Sequence, residues 1–155
     1  MSSAVIDFEC RHFRELGAHA LYAMLMLRSE VFVVEQRCVY LDPDGLDRDA
    51  HHLFGWSAEP SRSLTYGVRI LPPGTVYAEV SIGRVVTAPA HRGTGLGRIV
   101  MERALQECAR LYPGQAIRIG AQQYLERFYA GLGFATVSAP YDEDGIVHVK
   151  MLRPA

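Results

Sequence analysis

The sequence predicts an α+β fold: a mixed, mostly antiparallel sheet with one parallel crossover near its centre, flanked by helices. Three observations lead there. Apolar segments at residues 52–58, 64–71 and 80–87 follow one another with only turn chemistry between them, Pro60 in one break and Pro72-Pro73-Gly74 in the next. Strands spaced so closely form antiparallel hairpins. The third segment instead runs into RGTGLG and a helical pattern, and only then into the strand AIRIG at 116–120. Two strands joined through a helix pair in parallel. Finally, 155 residues with 49% hydrophobic and 21% charged side chains fit a single domain, residues 1–155, with one core.

Taken in order, residues 4–10 (AVIDFEC) alternate well enough for a first strand. From Glu15 to about Glu35, Leu21, Met24, Leu25 and Phe32 recur at helical spacing, which predicts one helix or two joined by a short break. Residues 40–52 (YLDPDGLDRDAHH) are rich in Asp, Pro and Gly and read as a long loop beside the site. After the three hairpin strands, the helix opened by the glycine turn extends to about Tyr112, with Leu96, Val100, Ala104 and Cys108 on one face and Arg98, Glu102, Gln106 and Arg110 on the other. Pro113 and Gly114 stop it. Residues 123–132 form a further helix, with Gly133 as its stop. The tail is a hairpin of residues 135–138 and 146–152 around a turn, PYDEDG.

A formal net charge of -1 offers no overall attraction to nucleic acid or an anionic membrane. The longest uninterrupted apolar run, residues 20–27, is far short of the ~20 residues that span a bilayer. The first ten residues have neither a basic leader nor an apolar core, so a cytoplasmic location is expected. Cys10, Cys38 and Cys108 are odd in number and widely spaced, fitting reduced thiols rather than a disulfide framework or a metal or redox pair. A homodimer is the base-rate expectation for assembly.

RGTGLG, residues 92–97, carries the functional signal. Glycines at alternate positions strip side chains from a turn at a helix N-terminus, where free amides seat an anion, and Arg92 and Arg98 flank it. Whose phosphate it seats is narrowed by spacing. A nucleoside triphosphate loop needs a Lys after the glycines, and Lys150 is the only Lys in the chain. A dinucleotide fold needs GxGxxG and an acid after the next strand; here the spacing is GxGxG and no acid ends 116–120.

The strand, proline, arginine and glycine turn together, V-x-A-P-x-x-R-G-x-G-x-G from Val86 onward, resemble the coenzyme A signature of the GCN5-related N-acetyltransferases, [RQ]-x-x-G-x-[GA], with Arg92, Gly95 and Gly97 in its fixed positions. A second segment, ERFYAGLGF, is similar to that family's FYxxLGF. LRSEVFVVEQ (residues 27–36), LDPDGLDRDAHH and EDGIVH resemble its ElaA-like subgroup. The resemblance implies a splayed strand pair, with backbone near Val85 and Val86 holding the pantetheine arm. The turn at Arg92, Gly93, Thr94, Gly95, Leu96 and Gly97, with Arg98, would hold the pyrophosphate. Gln122, seven residues before Tyr129, stands where the family often has an Asn that contacts the cofactor. The implied reaction is acetyl transfer from acetyl-CoA to a primary amine of a small molecule or peptide, by direct attack and without a metal.

Such transfer needs a neutral amine, a polarised thioester carbonyl and a proton for the leaving thiolate. The backbone N–H of Val86 would polarise the carbonyl, and the resemblance makes Tyr129 the acid. For the base, Glu79, Glu35 and His148 are candidates beside a water chain, with His148 favoured because imidazole titrates near neutrality. Asp42, Asp44, Asp47 and Asp49 alternate as calcium ligands do, but the EF-hand register fails, since it would need Gly at Asp47 and Glu at Leu53. Turn formation and capping are their expected roles, with attraction of a cationic acceptor second. One other reading remains open, a non-catalytic acyl-CoA-binding or sensor module; RSEVFVVEQ also resembles the acyl-homoserine lactone synthases, but the short chain and the intact RGTGLG argue against that activity.

Overall fold

The computed structural model describes residues 7–58 and 62–155. Its sheet holds strands β1 (Glu9–His12), β2 (His51–Trp56), β3 (Leu64–Leu71), β4 (Val80–Thr87), β5 (Ile117–Gln122), β6 (Ala135–Thr136), β7 (Tyr141–Glu143) and β8 (Ile146–Arg153). The order across it is β1-β2-β3-β4-β5-β8-β6, with β7 also on β8. The first four strands pair as successive antiparallel neighbours, and β4 meets β5 in parallel, as the short breaks and the crossover helix require.

Because side chains alternate across a strand, the sheet has two apolar faces. Leu53, Val68, Ile70, Ile82 and Ile119 pack on one side with Val100, Met101 and Ala104 of α2 (Leu96–Leu111) and with Tyr129 of α3 (Glu126–Ala130). Phe54, Leu64 and Val86 pack on the other with Ala20, Met24 and Leu27 of α1 (Gly17–Arg28). The expected stripe of Leu96, Val100, Ala104 and Cys108 is buried as the helical period dictates.

The helical region ending at Glu35 has no break. Instead α1 continues as a π-helix, Ser29–Glu35, in which Gln36 N–H bonds Val31 O at 3.0 Å and Cys38 N–H bonds Val33 O at 3.2 Å. Val31 of this turn is buried against the core and, with Phe32, Glu35 and Gln36, lines the cleft described below. The combined helix, Gly17–Glu35, is long and apolar enough to cross a membrane by length and composition, which the run of residues 20–27 alone did not suggest.

Three boundaries differ from expectation. Residues 4–6 of the anticipated first strand lie outside the described residues, and pairing runs on to His12, opposite His51. The helix expected at 123–132 is a 3-10 turn, Gln123–Leu125, followed by the short α3. Within PYDEDG, residues Tyr141–Glu143 form β7, and only Asp144 and Gly145 turn the chain, with φ of 53° and 82°. Two left-handed residues make the tight turn that suits a twisted hairpin.

Candidate active site

Strands β4 and β5 pair only at Val80 with Ile117 and Ser81 with Arg118; beyond Ser81 they separate. The opening is a cleft of about 810 Å³, lined by Ile82 to Thr87 of β4 and Ile119 to Gln122 of β5. Its cause is visible in β4. The register against β3 shifts between Gly67 and Arg69, and Arg84 adopts φ of 48°, a conformation unusual for a residue with a side chain. A bulge of this kind bends its strand and re-aims the residues beyond it. The edge that carries Val85 and Val86 is thereby left without a strand partner on the β5 side.

At the far end of β4, the glycine turn caps α2. Gly93 and Gly95 both have φ of 77°, which explains them by conformation. The helix N-cap, Gly95, supplies no side-chain hydrogen bond to the first turn, so its amides are left for a ligand. Gly97 has neither explanation: it is helical, its φ is not positive, and a Cβ there would meet nothing within 4 Å. It lines the cleft. A helical glycine that the fold does not require marks a place where backbone and ligand approach closely. The turn therefore fits a pyrophosphate.

Of the expected cofactor residues, Val85, Val86, Arg92, Gly97 and Gln122 line the cleft. Leu96 is buried in the core, Thr94 Oγ1 donates to His91 O at 3.0 Å, and Arg98 pairs with Glu102 on the surface at 3.0 Å. Arg92 bridges the turn to the π-helix, its Nη1 lying 2.7 Å from Glu35 Oε1. Glu35 is thus in the cleft as an ion-pair partner.

Tyr129 lines the cleft while being only 8% exposed, its ring edge-on to Phe128 and Phe134 at 5.1 and 5.9 Å. Burial pushes its phenol up to about 12. The phenol therefore lies well above an ordinary thiol, whose value is near 8.5. The phenol stays protonated and donates a hydrogen bond to a thiolate more readily than it gives up its proton. His148 also lines the cleft. Its Nδ1 is 2.8 Å from Ile146 O and its Nε2 is 3.2 Å from Glu143 Oε2, so both nitrogens face acceptors.

Glu79 does not line the cleft. Arg118 donates to its two carboxylate oxygens at 3.0 and 3.1 Å and holds the carboxyl below its usual range. The base expected there is replaced by an ion pair, because at Glu79 the chain has not yet reached the point where β4 and β5 part.

The acidic loop also corrects its expectation. Arg28, at 1% exposure, donates from Nε to Asp42 Oδ2 and from Nη1 to Asp47 Oδ1, both at 2.8 Å. Arg69 reaches Asp44 at 2.8 Å and Asp47 at 3.3 Å; Arg84 reaches Asp42 at 2.9 Å and Asp44 at 3.3 Å. Asp44 does cap the following turn, accepting from Leu46 N–H at 3.0 Å. Despite burial, which opposes ionisation, hydrogen bonds from Arg69 and Leu46 lower its carboxyl to about 2. Three arginines consume Asp42, Asp44 and Asp47, so these carboxylates are not free to attract a cationic acceptor. Their role is to fasten the loop to α1, β3 and the β4 bulge. The clue was Arg84 itself, a charge inside the apolar strand segment IGRVV.

A parted parallel strand pair, an anion seat at one end and a buried phenol on the wall define an acyl-CoA-dependent acyltransferase. Residues 64–153 match the family described as acetyltransferase (GNAT) domain. Similar proteins include a UPF0039 protein of Synechocystis, 44% identical and covering 95% of this chain and 94% of its own length. ElaA of Escherichia coli is 40% identical, covering 96% and 97%; its crystal structure gives a TM-score of 0.88, covering 96% of this chain and 99% of its own. An acyl-CoA N-acyltransferase from Pseudomonas aeruginosa gives a TM-score of 0.89 at 43% identity, again over 96% and 99%. The chain belongs to the GCN5-related N-acetyltransferase family, in its ElaA-like subgroup.

Proposed function

We propose that this acyltransferase moves the acetyl group of acetyl-CoA to a primary amine of a small molecule or peptide, by direct attack of the amine on the thioester. The observation that carries the reading is Gly97, a glycine unexplained by fold at the mouth of a cleft whose other wall holds Tyr129. Acetyl-CoA supplies the activated acyl group. In this reading the amides of the first turn of α2, with Arg92, hold its pyrophosphate, and the unpaired edge at Val85 and Val86 holds its arm. The Val86 N–H polarises the carbonyl. Tyr129 hydrogen-bonds the departing sulfur and, with a phenol near 12, stabilises it chiefly as a donor. His148 takes the amine proton and passes it on through Glu143, 3.2 Å from its Nε2 and half exposed to solvent.

The test is thiol release from acetyl-CoA across a panel of amines, with wild type and Tyr129→Phe. Wild type should turn over at least one amine. A donor lost from a developing thiolate should lower kcat by roughly 10- to 100-fold. Unchanged kcat in Tyr129→Phe would remove Tyr129 from the chemistry. Tight coenzyme A binding without turnover of any amine would refute the transferase reading.

A further inference from the structure

Among the described residues, every cation that lines the cleft has a carboxylate partner except one. Arg69 and Arg84 are held by the acidic loop, Arg92 by Glu35, and His148 faces Glu143. Lys150, among those same residues, has none. Its Nζ donates to Tyr77 Oη at 2.8 Å and lies 5.0 and 4.8 Å from the centres of the Tyr77 and Tyr141 rings. Burial opposes its charge, yet the two phenols beside it raise its pKa, so the ammonium persists at neutral pH.

One ammonium hydrogen is used by Tyr77, leaving two. Because Tyr77 Oη accepts from Lys150, its own hydrogen is free to donate, and Tyr141 Oη is buried without a hydrogen-bond partner. These groups converge over Gly120, whose missing side chain is what admits them: a Cβ there would lie 3.0 Å from Tyr141 Oη, 3.5 Å from Lys150 Nζ and 3.6 Å from Tyr77 Oη. Lys150 also stands opposite Gly120 in the β5–β8 register. Lys150 and Tyr77 line the cleft, with Tyr141 Oη buried beside them, and donors without an acceptor there are arranged for an anion.

The position says which anion. The glycine turn follows Thr87 at one end of β4, whereas Tyr77 precedes Ser81 at the other, and a strand rising about 3.3 Å per residue puts those ends roughly 20 Å apart. The phosphates sit at the first end. His148, two residues from Lys150 on the same face of β8, lies between Lys150 and the hairpin turn. We propose that Lys150, with Tyr77 and Tyr141, receives a carboxylate of the acceptor, so that the amine substrate is an amino acid or a short peptide with a free carboxyl group. This rests on the transferase reading for its consequence but on Lys150 alone for its binding.

The experiment pairs free amino acids and dipeptides with their C-terminal amides. In turnover, the free acids should be preferred, and Lys150→Met should raise their KM by roughly 10- to 100-fold, the loss of a charged hydrogen bond, with kcat little changed and the amides unaffected. Tyr77→Phe should give a smaller shift in the same direction. Binding is read separately. Since Lys150 is the only lysine, protein grown with 13C-lysine shows a single lysine side-chain resonance. With coenzyme A bound, that resonance should move on titration with a dipeptide and stay still with its amide. Equal turnover of acids and amides, or a resonance that both move alike, overturns the inference and leaves the transferase intact. A resonance that answers only to the acids, with no amine acetylated, supports the carboxylate site while refuting the transferase.

Discussion

Replacing Gly97 separates what the fold needs from what the ligand needs. The residue is second in α2, helical, and free of neighbours at its Cβ position. Glycine within a helix is less stable than alanine by about 0.5 to 1 kcal/mol. In a first turn the lower half of that range applies, so Gly97→Ala and Gly97→Leu should both be as stable as wild type or slightly more so. For a chain of this size each kcal/mol moves Tm by roughly 2 to 4 °C, giving a rise of about 1 to 3 °C. Coenzyme A binding should move the other way and with size. A methyl meets nothing in the protein but would crowd an anion drawn close to the bare backbone, and a leucine side chain would displace that anion from one or two first-turn amides. Each charged hydrogen bond is worth about 1.5 to 3 kcal/mol, so the Leu variant should bind roughly 10- to 100-fold more weakly, with Ala weakened in the same direction and by less. Calorimetric titration of coenzyme A and thermal unfolding of the same samples supply both numbers. If the Leu variant binds as wild type does, the seat is not where we place it; if either variant is markedly less stable, Gly97 serves the fold rather than a ligand.

Arg28→Met should destabilise the protein by about 3 kcal/mol, since it takes a buried guanidinium from Asp42 and Asp47 and leaves those carboxylates to Arg84 and Arg69 alone; urea unfolding at neutral pH measures it. The same cluster sets acid stability. Asp44 and Asp47 have carboxyls lowered in the folded state, so their contribution is complete above the ordinary carboxylate value and drains away as pH falls toward about 2. Unfolding midpoints followed from pH 5 to pH 2 should show that loss, and a flat profile would contradict it. For the reaction, His148→Gln should lower kcat/KM by about 100-fold or more, read as thiol release from acetyl-CoA. Because Tyr129 sits near 12, no fall in rate from its ionisation is expected below about pH 10.

The parts of the site legible in sequence are local ones. RGTGLG and the stripe of α2 lie within a few turns of chain, and glycine chemistry with helical periodicity is enough to read them. The splay between β4 and β5 was reached only through family resemblance, since its cause, the left-handed Arg84, is a backbone state that no side-chain pattern announces. The arginine clasp was hidden by distance along the chain: Arg28 meets Asp42 across 14 residues, and Arg84 meets Asp44 across 40. Without those partners in view, an Asp-rich stretch reads as a turn or a charged lure. β7 was concealed differently, because an exposed edge strand of Tyr, Asp and Glu carries no apolar alternation and merges with its own turn. Tyr77 and Lys150 likewise lie 73 residues apart, and nothing in either segment alone suggests an anion site.

Arg28 also matters apart from the clasp. The helix that bears it, Gly17–Glu35, has the length and apolarity of a bilayer span, and Arg28 stands within it. An arginine at the centre of such a segment costs about 2.5 to 3.5 kcal/mol to insert. The side chain that clasps the acidic loop therefore also makes this helix a costlier occupant of a bilayer than its length and apolarity alone would make it.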